Sequence, residues 1–168
     1  MKKEFFKYWL PAILWMLLIF GFSSGSFTMQ NTSRILAPIL KLLFPTMPQE
    51  TMFKIIFWIR KSAHVTEYAI LAILLIRALM KQGILQLKTF PSKAAGLALA
   101  FAIAYAATDE FHQALTSTRQ GSPIDVIIDT IGAAIGLLIV WVIVKLRNRA
   151  VPNRSKTNNS YSLSQQVH

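Results

Sequence analysis

The run Thr108-Asp109-Glu110-Phe111-His112-Gln113, followed by Arg119 and Gly121-Ser122-Pro123-Ile124-Asp125, packs ionisable groups between two apolar segments. Of the seven acidic residues in the chain, Asp109, Glu110, Asp125 and Asp129 fall in this short stretch. A second polar group, Lys61-Ser62-Ala63-His64-Val65-Thr66-Glu67-Tyr68, opens an earlier apolar segment. On a helix, residues three and four apart share a face, so His64, Glu67 and Tyr68 project together. Histidine beside a carboxylate is oriented and tuned for general acid/base work near neutral pH, which makes His64, Glu67, Asp109, Glu110 and His112 the catalytic candidates. His64, Glu67, Asp109 and His112 are also of the types that bind a divalent metal such as zinc, although no spacing here is a zinc signature such as HExxH, and the cofactor stays open. The third chemistry is recognition. Lys61, His64, Glu67, Tyr68, Asp109 and Glu110, with His112, Gln113, Arg119, Asp125 and Asp129, can hydrogen-bond helix ends together or line a pocket for an anionic or sugar-bearing ligand. Five carboxylates cannot stay charged and close without neutralisation. Arg119 is the obvious partner because its planar fork grips a carboxylate in two places, with Lys61 and Arg60 as further candidates. Ser62, Thr66, Thr108 and Ser122 add hydroxyls, none in a nucleophile motif. Catalysis, a metal site, a binding pocket and structural glue all remain open at this point.

Those residues must be held by greasy elements. The 168 residues are 54% hydrophobic and 15% charged, against about 25% charged in ordinary soluble domains. Four segments approach the ~20 apolar residues that cross a bilayer. The expected fold is therefore all-α, a membrane bundle of four transmembrane helices with a long extracytoplasmic connection carrying short amphipathic helices. The net charge of +11 would suit nucleic acid, but the basic residues sit between and after apolar segments without an aromatic-interleaved face, so no nucleic-acid partner is expected. The absence of cysteine excludes disulfides, thiolate metal sites and a Cys nucleophile.

In chain order, Lys2, Lys3 and Lys7 precede a first span at residues 8–22. A positive start, an apolar run and then Ser23-Ser24-Gly25-Ser26 also fit a cleaved signal peptide. Trp9 and Trp15 with bulky neighbours favour a retained helix, with Tyr8 and Trp9 at the interface. The connection 24–60 carries Pro38, Pro45 and Pro48. Ser33 is placed to cap a short helix from Arg34 to Phe44, with Ile35, Ile39, Leu42 and Leu43 on one side, suited to the membrane interface. A second amphipathic stretch, 49–59, follows. Span two runs from about Lys61 to Met80, and a basic loop, 77–93, leads to span three, 94–115. There Gly96, Ala100, Ala104 and Thr108 recur every four residues, a stripe expected to admit a neighbouring helix. Span four runs from about Ile124 to Val144, where Gly132 and Gly136 form a close-packing pair. Residues 1–146 make the expected membrane domain, and 147–168 a polar, disordered tail.

With both termini in the cytoplasm, 12 of the 18 Lys and Arg residues lie inside, as the positive-inside rule favours. Span two then starts outward at His64 and Glu67, span three ends outward at 109–113, and span four starts outward at Asp125 and Asp129. Three separate stretches deliver polar groups to one level, an expected composite site at the outer face of a plasma membrane. The expected partners are the lipid bilayer and a lipid-linked or cell-wall ligand; the oligomeric state is left open.

At these residues the chain resembles the VanZ-like family of bacterial membrane proteins. The likeness rests on Phe22-Ser23-Ser24, Lys61-Ser62-Ala63-His64 with Glu67-Tyr68, Asp109-Glu110-Phe111-His112-Gln113, Arg119, Asp125, and Gly132-Ala133 with Gly136, over residues 8–146. Asp129 stands where the family more often has Asn. The resemblance implies a small multi-pass protein acting at the cell envelope, with a link to glycopeptide (teicoplanin) resistance through the founding member. It implies no reaction.

Overall fold

A computed structural model describes residues 2–23, 29–115 and 122–150. Five α-helices follow one another: α1 (Lys2–Ser23), α2 (Met29–Leu43), α3 (Gln49–Met80), α4 (Ser92–Ala114) and α5 (Pro123–Ala150), with a 3-10 turn at Ile84–Gln86 before α4. No strand occurs among the described residues. Helices α1, α3, α4 and α5 each contain a stretch long and apolar enough to cross a membrane. Large apolar side chains such as Phe6, Leu14, Leu17, Phe101, Ile127 and Leu138 face outward, as a lipid-facing surface requires.

Local chemistry sets the helix ends. Proline has no amide hydrogen to lose at a first helical position, and Pro123 opens α5 there. Asp125 lies in the first turn of α5, with Arg147 and Arg149 in its last, each charge opposing the helix-dipole end it sits on. Helix α3 stops at Met80, where Lys81 takes a left-handed conformation at φ 50° and returns its amide to the Ala78 carbonyl.

Three expectations about the elements need correction. Span two is the second part of a single 32-residue helix, α3. Residues 49–80 contain neither Gly nor Pro, so nothing stops the amphipathic stretch 49–59 from joining the span. At 1.5 Å per residue the helix measures roughly 48 Å, well beyond a hydrocarbon core of about 30 Å. Helix α2 begins at Met29 rather than Arg34, which puts Ser33 inside the helix and not at its cap. At the far end α5 continues to Ala150, so residues 147–150, expected in the tail, are helical; residues 151–168 lie outside the described set, as does the 24–26 part of the signal-peptide reading.

The bundle core runs along α3. Helices α3 and α5 pack parallel and close: a Cβ on Gly132 would stand 2.5 Å from the Val65 carbonyl oxygen, and one on Gly136 2.2 Å from that of Ala69. Only hydrogen at these positions lets the two backbones meet. The Gly96, Ala100 and Ala104 stripe does not act this way. All three are exposed, and a Cβ on Gly96 would meet nothing within 4 Å. The stripe is offset by two residues, about 200°, from the residues that do bury: Ala95, Ala98, Ala102, Ala106, Asp109, Glu110 and Gln113.

Candidate functional site on α3 and the ends of α4 and α5

The close α3–α5 register brings the start of α5 level with Lys61 and His64. Lys61 pairs with Asp125. One turn deeper, His64 Nδ1 lies 3.5 Å from Asp129 Oδ1 and 4.0 Å from Glu67 Oε2. Asp129 is 1% exposed, so its carboxylate has been taken almost fully out of solvent. Such a transfer costs several kcal/mol per ion unless partners replace the lost water.

Helix α4 arrives from the opposite direction and ends at the same level. Asp109 and Glu110 are buried. Gln113 Nε2 donates to Asp109 Oδ2 at 3.0 Å, one helical turn apart. Glu110 Oε2 accepts the Ser122 amide at 2.7 Å, which ties the end of α4 to the residue before α5. Tyr68, wholly buried, sits within electrostatic reach of Asp129, Asp109 and Glu67. Its hydroxyl has no hydrogen-bond partner among the described residues.

The residues named from sequence therefore divide. Lys61, His64, Glu67, Tyr68, Asp109, Glu110, Gln113, Asp125 and Asp129 lie on the middle of α3, the last turns of α4 and the first turns of α5. His112 is turned toward α1, with its ring 4.5 Å from that of Phe20, and its Nδ1 has no hydrogen-bond partner among the described residues. Arg119 lies outside the described residues. No group of three or more His, Asp or Glu side chains that could hold a metal occurs among the described residues; His64, Glu67, Asp109 and His112, as they stand, are not a coordination shell.

Helix α1 supplies residues that sequence reasoning passed over. Trp15 Nε1 donates to the Glu67 carbonyl at 2.9 Å, and the Tyr105 hydroxyl donates to the Met16 carbonyl. These bonds hold α1 against α3 and α4 just beneath the polar cluster. Trp15 was visible as a bulky residue of the first span, but no spacing could show which carbonyl it reaches. The opposite end is closed separately: Arg147 Nη2 and Asn148 Nδ2 donate to the Leu87 and Lys88 carbonyls at 2.8 Å and 2.6 Å.

Chemically, this end of the bundle is rich in acceptors. Asp125 pairs with Lys61 and Asp129 and Glu67 flank His64, while Asp109 and Glu110 add two buried carboxylates from α4, a set suited to hydroxyl and ammonium donors. His64 between two carboxylates can also take up and release a proton.

No curated protein and no solved structure matches this chain. A family model described as VanZ/LLP1 matches residues 8–145. The matched range takes in all of α3 and α4, most of α1 and α5, and every polar residue named at the cluster, Arg119 included, and the chain belongs to the VanZ/LLP1 family.

Proposed function

We propose that this membrane protein acts at the bacterial cell envelope, with both termini in the cytoplasm, and that its polar cluster is an outer-face pocket for a lipid-linked or cell-wall ligand. One observation carries the reading: Asp109, Glu110, Gln113 and Asp129 are buried where the end of α4 and the start of α5 meet the middle of α3 in an otherwise apolar bundle. Ionisable groups at such depth are expensive and are functional candidates by default. The surplus of carboxylates supports a ligand that donates, such as a sugar or amino-bearing headgroup. An anionic group would depend on Arg119. The orientation is supported by Lys145, Arg147 and Arg149 at the end of α5 away from the cluster.

A second reading, a membrane-embedded enzyme, is favoured by the 3.5 Å approach of His64 to Asp129. There His64 would act as general acid/base with Asp129 orienting its ring. The family name carries the further proposal of a link to glycopeptide resistance, checked by teicoplanin susceptibility of a sensitive host expressing the chain.

The deciding experiment incubates purified protein with an envelope lipid extract and follows both retained and altered species by mass spectrometry. Retention of an unaltered envelope component, lost in Asp129→Asn, is the expected result. Turnover abolished by His64→Ala would move the assignment to the enzyme, and neither retention nor turnover would contradict both.

A further inference from the structure

Away from the polar cluster, α2 packs on α3, with Gln49, Met52 and Phe53 at the start of α3 beside it. Between them lies a groove of about 690 Å³, with Arg34 and Lys41 on its α2 side and Met52 and Phe53 on its α3 side. Arg34 and Lys41 are seven residues apart on α2 and so share one face. Both are exposed, and neither makes an ion pair or hydrogen bond with a described residue. Lys54, close by, is already paired with Glu50 at 2.6 Å. Ser33 Oγ, also in the groove wall, is buried without a hydrogen-bond partner among the described residues.

The other side of α2 is bare and apolar. Ile35, Ile39 and Leu42 are 64%, 48% and 82% exposed, roughly a third of a turn from the basic face at 100° per residue. A helix of this kind lies in the interface with its apolar side in the acyl region and its cations at headgroup level. The long α3 carries the groove outward from the polar cluster. The α3–α5 register sets Lys61 beside Asp125, two residues after the start of α5. The twelve residues from Gln49 to Arg60 therefore reach some 18 Å beyond that level. The groove then has a cationic upper wall and an apolar lower wall, matching the phosphate and first methylenes of one lipid.

We propose that the groove between α2 and α3 is a binding site for an anionic phospholipid, with Arg34 and Lys41 holding the phosphate. It is separate from the polar cluster, and its test does not depend on what that cluster binds.

Full-length protein is reconstituted in bilayers of mixed phosphatidylglycerol and phosphatidylcholine, extracted with mild detergent, and its retained lipid quantified by mass spectrometry. Phosphatidylglycerol is expected to be enriched on the order of fivefold for each surface cation engaged. The Arg34→Gln/Lys41→Gln pair should bring the ratio back to that of the bilayer, while Lys54→Gln should leave the enrichment unchanged. Wild-type protein gives an independent reading. Raising salt from roughly 0.1 M to 1 M shortens the screening length from about 10 Å to about 3 Å and should reduce the enrichment. Equal retention of the two lipids, enrichment that persists in the double variant, or indifference to salt would each overturn the proposal. Displacement of the lipid by inorganic phosphate at matched ionic strength would reassign the site to free phosphate.

Discussion

A buried hydroxyl without a hydrogen-bond partner costs about 1–3 kcal/mol, and Tyr68 carries one among the described residues. Tyr68→Phe keeps the ring and removes only that group. Thermal unfolding in detergent should therefore show an unchanged or raised midpoint, together with weaker retention of the envelope ligand. A clear drop in midpoint would mean that the hydroxyl is already satisfied and is part of the scaffold. Asp129→Asn keeps size and shape but takes away the charge facing His64. Loss of a charged hydrogen bond is worth about 1.5 kcal/mol or more, so ligand retention should fall roughly tenfold. The chemistry-bearing types were plain from sequence. Their pairings were not, because Lys61 with Asp125 and His64 with Asp129 join residues 64 and 65 positions apart.

Between elements, the closest approach is α3 against α5. Gly132→Ala or Gly136→Ala would force a Cβ into a backbone carbonyl and push the helices apart, at a cost of about 1–3 kcal/mol. Gly96→Ala, facing open space, should unfold with the wild type. A panel of these three variants melted side by side checks the contrast; a Gly96 variant as unstable as the others would contradict the observed packing face. Both glycine patterns were conspicuous in the sequence, and spacing alone did not separate them. Gly132 and Gly136 meet a backbone, whereas the Gly96 stripe lies two residues, about 200°, away from the equally spaced Ala98, Ala102 and Ala106 that bury. The four spans were legible because hydrophobic length is a local property. The continuity of α3 was less so: its polar residues 60–64 read as a span boundary, yet no helix breaker stands there.

For the whole molecule, orientation decides whether the polar cluster meets the periplasmic or cell-wall side. The chain has no cysteine, so single cysteines report cleanly. Glu50→Cys, on the exposed start of α3, should react with a membrane-impermeant maleimide on intact cells. Arg149→Cys, at the far end of α5, should react only after permeabilisation. The reverse pattern would move the cluster to the cytoplasmic side. The account rests on one composite site assembled from α3, α4 and α5, and the most direct measurement takes one variant from each helix: His64→Ala, Asp109→Asn and Asp129→Asn. Each is scored for folded abundance by size-exclusion chromatography and for retained envelope ligand by mass spectrometry. All three should fold in near wild-type amounts and lose the ligand together. Variants that lose abundance while the surviving protein still holds the ligand would contradict the shared site and leave the polar cluster as structural glue.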